Sequence, residues 1–201
     1  MMSLIEVLRL HHWIKNLLIF LPFVASQLAF SENILQNLFL GFLSFGLLAS
    51  ATYIFNDILD IKNDKKHITK KYRPIPSGKI SIQMGFLIIV VLLTAIFFIT
   101  KEFEENNFLL YLIAYLLLSL FYSLYLKKIV LIDCFLLSIL YTIRIFAGGE
   151  LVNIMPSFWL ITFSMFLFLS LAFLKRYSEI SLMKNKQTVP GRNYYGSDKL
   201  L

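Results

Sequence analysis

The chain has 201 residues, 58% of them hydrophobic and only 15% charged, with a formal net charge of +7 and a mean hydropathy of +0.74. A soluble domain is nearer half apolar and a quarter charged, and the apolar residues here form long runs that a bilayer can absorb and a soluble core cannot. Cys134 is the only cysteine, which excludes an internal disulfide framework and reads as a small buried hydrophobe. The basic charge is read by its placement around the apolar runs, and no nucleic-acid partner is expected.

A membrane span needs about 20 apolar residues to cross about 30 Å of hydrocarbon. The first candidate is Ile14–Phe30, preceded by His11, His12 and Trp13, which read as interfacial anchors rather than metal ligands. No small-residue cleavage site follows it, so it reads as a first helix and not as a removable signal peptide. Pro22 predicts a kink within it. The second candidate is Ile34–Phe55. It runs into Asn56-Asp57-Ile58-Leu59-Asp60-Ile61-Lys62-Asn63-Asp64 and then into the cationic stretch Lys65, Lys66, His67, Lys70, Lys71 and Arg73. Arg73-Pro74 predicts a stiff extended turn, and Ser77-Gly78 is expected to cap the approach to the third candidate, Ile80–Thr100. Phe108–Leu126, Ile129–Ala147 and Phe158–Leu174 complete six expected spans in an all-α, polytopic bundle.

The loops alternate in charge. Nearly all of the 19 Lys and Arg fall before the first expected span, in residues 56–79, at Lys127-Lys128, or after the sixth span, while the other loops carry mostly glutamates. By the positive-inside rule this predicts a cell-membrane protein with both termini in the cytoplasm and the aspartate-rich stretch facing the cytosol.

The aspartates carry the chemistry. On a helix, Asp57, Asp60 and Asp64 stand at i, i+3 and i+7, and Asn56, Asp60 and Asp64 at i, i+4 and i+8, so either set lies on one face. Carboxylates so arranged repel one another unless a cation joins them. Hard carboxylate oxygens suit Mg²⁺, which usually takes one or two carboxylates together with substrate phosphates. Lysines and arginines beside them would neutralise the rest of a diphosphate, an arrangement that stabilises its departure. A solvated juxtamembrane loop accounts for the lysines but not for acids at helical spacing. Within the fifth expected span, Asp133 and Arg144 are eleven residues apart, on one face, and polar residues inside spans are usually functional. After the sixth, Lys175 and Glu179 are spaced as an i, i+4 pair, beside Arg176. Tyr122, Tyr125 and Tyr141 fit an aromatic belt or a cavity wall equally well.

At these residues a family resemblance emerges. Asn56–Asp64 resembles the first aspartate-rich motif of the UbiA prenyltransferase superfamily. Arg9-Leu10-His11-His12-Trp13-Ile14-Lys15-Asn16, His67-Ile68-Thr69-Lys70-Lys71-Tyr72-Arg73-Pro74-Ile75, Tyr122-Ser123-Leu124-Tyr125-Leu126-Lys127 with Asp133, and Arg144 with Ala147-Gly148 resemble the decaprenyl-phosphate phosphoribosyltransferase branch, with departures at Leu10, His12 and Ile68. Where an aromatic prenyltransferase carries a second aspartate motif, this chain reads Leu174-Lys175-Arg176-Tyr177-Ser178-Glu179. The resemblance implies a helical bundle around a central cavity open to the cytosol, with about nine helices in typical members. Residues 1–201 are therefore expected to form a single, C-terminally incomplete membrane domain, with residues 56–79 as its active-site loop.

The resemblance further implies an Mg²⁺-dependent transfer of 5-phosphoribose from 5-phosphoribosyl 1-diphosphate to a polyprenyl phosphate; cell-wall biosynthesis through an arabinose donor is one pathway it suggests, and the downstream pathway stays open. Asp57, Asp60 and Asp64 would hold the metal, with Asn56 orienting them. Lys15, Lys70, Arg73, Tyr122, Lys127, Asp133, Arg144, Lys175 and Arg176 are the expected substrate-binding residues. The individual roles of Lys127, Asp133, Arg144 and Lys175 stay open, as does homo-oligomerisation. The alternatives are an intramembrane aromatic prenyltransferase with a polyprenyl diphosphate donor, and a non-catalytic transporter or scaffold.

Overall fold

The structure is a computed structural model and describes residues 2–67, 69–103, 107–181 and 194–195. The described residues are helical almost throughout. Helices α1 (Met2–Leu8), α2 (Leu21–Ser26), α3 (Glu32–Leu59), α4 (Ile61–Lys66), α5 (Ile82–Thr100), α6 (Phe108–Leu124), α7 (Ile132–Leu151) and α8 (Phe158–Ser181) follow one another, with a 3₁₀ segment at Leu10–Phe20 between the first two. Four helical stretches, Glu32–Leu59, Ile82–Phe103, Ile132–Leu151 and Phe158–Ser181, are long and apolar enough to cross a membrane, and Phe108–Leu124 is a shorter apolar helix.

Serines start three of the long helices. Ser31, Ser81 and Ser157 accept from the backbone N–H of Ile34, Met84 and Leu160 at 3.3, 3.2 and 3.2 Å, satisfying donors that the first turn leaves orphaned. The expected cap at Ser77-Gly78 is thus moved to Ser81. Gly78 instead supplies a left-handed turn residue at φ 82°, where a side chain would be strained.

The first expected span differs from expectation. Leu10–Phe20 winds as a 3₁₀ helix, α2 follows, and Gln27 ends it in the left-handed region at φ 55°. Pro22 accounts for how the segment ends. It has no N–H to give the Leu18 carbonyl, and that carbonyl instead accepts from Leu21 N–H, the i→i−3 bond of a 3₁₀ turn. Eleven residues wound this way rise about 22 Å, against about 16 Å for an α-helix.

The chain divides into two compact units, residues 1–116 with 144–155, and residues 117–143 with 156–201. In the first, α3 packs against α1, the 3₁₀ segment and α5. Val7, Ala51, Ile54, Ile75, Ile80 and Leu92 form a buried apolar cluster there. Trp13, expected as an interfacial anchor, is tied into the protein by its indole. Its indole lies over Gly46, where an added Cβ would come within 2.6 Å of the ring, and its Nε1 donates to Ser50 Oγ at 3.0 Å. The Ser50 hydroxyl donates in turn to the Leu8 carbonyl at 2.7 Å, so one side chain ties α1, the 3₁₀ segment and α3 together. The backbone approach at Gly148 is closer still, since a Cβ there would meet the Ile19 carbonyl oxygen at 2.0 Å.

In the second unit, Tyr141 stacks on Phe168 with ring centroids 4.6 Å apart, and Phe135 meets Phe173 edge-on at 6.4 Å. These contacts hold the N-terminal half of α7 against α8. The remaining aromatic residues of α8, among them Phe158, Trp159, Phe163 and Phe166, are largely exposed, as suits a face turned to lipid.

Candidate functional site

α3 carries the aspartate-rich stretch at its C-terminal end, and it does not continue as one helix through all three acids. Asp60 caps it at φ −94°, ψ 9°, and α4 starts at the next residue. The helical register nonetheless persists across the break. Asp60 N–H donates to the Asn56 carbonyl at 2.9 Å, and Asp64 N–H to the Asp60 carbonyl at 2.8 Å. Asp57 and Asp64, two turns apart, therefore fall on one side and are both buried, while Asp60 and Asn56 between and beside them are partly exposed.

Two arginines meet the buried pair. Arg73 NH1 lies 3.1 Å from Asp57 Oδ1 and 2.6 Å from Asp64 Oδ2, so one nitrogen joins the two carboxylates. Its backbone is extended at φ −59°, ψ 150°, as the following Pro74 requires. Arg9 NH2 lies 2.5 Å from both Asp57 oxygens. Arg9 also stands over the Tyr53 ring at 5.4 Å, and it holds a left-handed backbone at φ 51°. A non-glycine residue in that region is strained by roughly 1–2 kcal/mol, and such strain gathers where the surroundings fix a residue for a purpose. The carboxylates at this point are thus nearly sealed, with Asp57 2% and Asp64 5% exposed in their side chains.

Among the described residues, no three His, Cys, Asp or Glu side chains gather closely enough to hold a metal by themselves. What the structure gathers is a pair of carboxylates around a cationic nitrogen. The cationic stretch lies beside it. Lys70 is partly exposed and its backbone N–H donates to His67 Nδ1 at 3.4 Å, which closes the turn leading to Arg73. Ile68 of the expected motif lies outside the described residues.

Arg144 forms a second grouping in the same compact unit. It is buried on α7, with Nε donating to Asn16 Oδ1 at 2.9 Å and NH2 donating to the Tyr115 hydroxyl at 2.9 Å. Its guanidinium also lies 4.7 Å from the Tyr115 ring centre. Asn16 is fully buried, and its Nδ2 has no hydrogen-bond partner among the described residues. Lys15 is partly exposed on the 3₁₀ segment.

The second unit has a polar centre of its own. Arg176 NH2 lies 2.7 Å from Asp133 Oδ2, both side chains being buried, and Arg176 NH1 pairs with Glu179. The Tyr194 hydroxyl donates to Asp133 Oδ1 at 2.5 Å and accepts from Leu131 N–H at 2.8 Å. Burial and the bond to Asp133 push that phenol well above its usual range. Tyr122 and Lys127 are partly exposed, and Lys175 is exposed.

Of the expected site residues, the structure brings together Asp57, Asp64 and Arg73 in one unit, and Asp133 with Arg176 in the other. Arg144 has separate partners. Arg9, Asn16, Tyr115 and Tyr194 were not among the expected site residues. Arg9 and Asn16 stand inside a quoted motif, Arg9–Asn16, and a buried partner for Asp57 could have been sought there. Tyr115 and Tyr194 carried no such signal, being apolar-run and tail tyrosines.

Residues 17–185 match the UbiA prenyltransferase family. An uncharacterized protein, y4nM, of Sinorhizobium fredii is 40% identical over 193 residues, covering 95% of this chain and 37% of that protein. The nodulation protein NoeC of Azorhizobium caulinodans is 34% identical over 200 residues, 98% of this chain and 64% of its own. The decaprenyl-phosphate phosphoribosyltransferase of Mycobacterium tuberculosis is 30% identical over 189 residues, 90% of this chain and 61% of its own. The chain therefore spans less than two thirds of the length of each of these relatives. With a family match across most of its residues and an all-helical, membrane-spanning fold, the chain belongs to the UbiA prenyltransferase family.

Proposed function

We propose that the chain serves phosphoribosyl transfer from 5-phosphoribosyl 1-diphosphate to a polyprenyl phosphate, with release of diphosphate into the cytosol. The observation that carries the reading is the single Arg73 nitrogen shared by Asp57 and Asp64. It marks a place where two hard, buried carboxylates already converge on one positive charge. Mg²⁺ suits such a donor set, because it is commonly held by one or two protein carboxylates and completes its shell with phosphate oxygens and waters. Asp57 and Asp64 would hold it, with Asp60 and Asn56 on the neighbouring turn. When bound, the metal would draw charge from the departing diphosphate.

The protein's own residues would do the rest. Arg73 and Lys70 supply donors for the donor's phosphate oxygens, and a planar guanidinium suits a phosphate better than an ammonium does. Arg9 orients Asp57. An acceptor phosphate is anionic near neutral pH, so no strong general base is called for. Lys15, Tyr122, Lys127, Asp133, Arg144, Lys175 and Arg176 are the remaining candidates for binding the ribose, its 5-phosphate or the lipid phosphate. The identity to proteins named as decaprenyl-phosphate phosphoribosyltransferases supports this substrate class, and so does the end of α8, which offers the Arg176–Glu179 pair in place of a second aspartate motif.

The test is an assay of membranes carrying the chain, or a full-length relative with these residues, given labelled phosphoribosyl diphosphate and polyprenyl phosphate with and without Mg²⁺. Labelled lipid is expected only with Mg²⁺ and is expected to be lost in Asp60→Asn and Asp64→Asn. No labelled lipid in any arm, or full activity in Asp64→Asn, overturns the reading. Labelled lipid from a polyprenyl diphosphate and an aromatic acceptor would assign the site to prenyl transfer instead.

A further inference from the structure

We infer that Arg73 competes with the divalent cation for the ground between Asp57 and Asp64, so that cation and diphosphate bind only as a pair; this rests on the reading proposed above. Arg73 NH1 lies 3.1 Å from Asp57 Oδ1 and 2.6 Å from Asp64 Oδ2, so a cation held by these two carboxylates would meet the guanidinium. A guanidinium and a dication repel each other strongly at such range, and the two cannot share that ground.

The charges decide the coupling. Asp57, Asp64, Arg9 and Arg73 sum to zero. A dication added alone leaves an uncompensated double charge beside carboxylates that are 2% and 5% exposed, and uncompensated buried charge is costly. Diphosphate added alone brings negative charge up against the same carboxylates. Added together, each offsets much of the other's charge.

Arg73 is the arginine placed to move. Its side chain is 31% exposed against 13% for Arg9. It stands in a short connection between the 3₁₀ turn at Lys70–Tyr72 and Pro74, and it touches both carboxylates, whereas Arg9 meets Asp57 alone. Displaced by the cation, its guanidinium is free to donate to the diphosphate oxygens. Arg9 stays on Asp57 and fixes that carboxylate's orientation. One side chain thereby links occupancy of the metal position to occupancy of the phosphate position.

The test measures Mn²⁺ binding to the purified 201-residue chain in detergent by electron paramagnetic resonance, with Mn²⁺ alone and with Mn²⁺ premixed with inorganic diphosphate. The wild type is expected to bind Mn²⁺ alone weakly and the premixed pair at least about tenfold more tightly, within the range of ordinary coupling between two ligands. Arg73→Gln is expected to bind Mn²⁺ alone at least about tenfold more tightly than wild type and to lose the gain from diphosphate. Arg73→Lys keeps the cation and is expected to resemble wild type with Mn²⁺ alone. Where Arg73→Gln does not hold its fold in a thermal melt, Arg73→Met carries the same expectation. Mn²⁺ binding in Arg73→Gln no tighter than in wild type, with both proteins still taking the premixed pair, overturns the competition and leaves the proposed function standing. Failure of both proteins to bind Mn²⁺ in either form overturns the proposed function and the competition together.

Discussion

One nitrogen of Arg9 contacts both carboxylate oxygens of Asp57 at 2.5 Å, while the Arg9 backbone is held in the left-handed region. The contact spans 48 residues and pins the start of the chain to the C-terminal end of α3. Asp57→Asn removes the charge that faces both Arg9 and Arg73. Breaking a buried pair typically costs about 3–5 kcal/mol, because the surviving charge is left uncompensated. Arg9→Lys keeps a charge but loses the planar group and should cost less. Thermal unfolding of the detergent-purified variants is expected to place Asp57→Asn lowest, Arg9→Lys between, and wild type highest. The reverse order would show that the contact does not hold α1 onto α3.

Ser50 occupies the middle of a hydrogen-bond relay from Trp13 Nε1 to the Leu8 carbonyl. Ser50→Ala leaves a donor and an acceptor without partners at a fully buried position, a loss of about 1–3 kcal/mol. Trp13→Phe removes the donor but keeps most of the ring over Gly46, so it should destabilise less than Ser50→Ala by the same melt. An equal effect would mean that the indole's packing, not the relay, joins the three elements.

Asp133, Arg176 and Tyr194 give a prediction for the second unit. Tyr194→Phe removes one hydrogen bond to Asp133 and one from Leu131 N–H, for about 1–3 kcal/mol. Asp133→Asn removes the partner of a buried arginine, at about 3–5 kcal/mol. Because both changes act on one carboxylate, their effects should not add, and the double variant should fall short of the sum of the two singles. Additive losses in a double-mutant cycle would separate Tyr194 from the ion pair.

Much of this was legible in the residues, for reasons that differ from place to place. The long apolar runs declared α3, α5, α7 and α8, because a bilayer demands length and continuity. Arg73-Pro74 declared its extended backbone by sterics alone. Helical spacing set Asp57, Asp60 and Asp64 on one face; the structure buries Asp57 and Asp64, while Asp60, which caps the helix between them, stays partly exposed. What spacing does not encode is which distant partner fills a polar group. Arg9 for Asp57, Asn16 for Arg144 and Tyr194 for Asp133 are contacts across 48, 128 and 61 residues. The 3₁₀ winding of Leu10–Phe20 was hidden for another reason. Pro22 announced a disturbance, but a kinked α-helix and a 3₁₀ segment answer the same missing N–H, and only tertiary packing chooses between them.

That packing choice is itself testable at Gly148. A Cβ placed there would stand 2.0 Å from the Ile19 carbonyl oxygen, and backbone cannot rotate aside as a side chain can. Gly41 offers the comparison, because its nearest obstacle is the Leu151 side-chain tip at 2.2 Å, which a new rotamer can withdraw. Gly148→Ala must push the 3₁₀ segment away from α7, and overpacking of this kind costs about 1–3 kcal/mol. It should also loosen Asn16, which is carried on that segment and accepts from Arg144. Gly148→Ala is therefore expected to lower the melting temperature clearly more than Gly41→Ala, and to weaken substrate binding if Arg144 serves the proposed site. A melt in which the two alanines are equal would show that the segment yields without cost, and that the close approach at Gly148 does not fix its course.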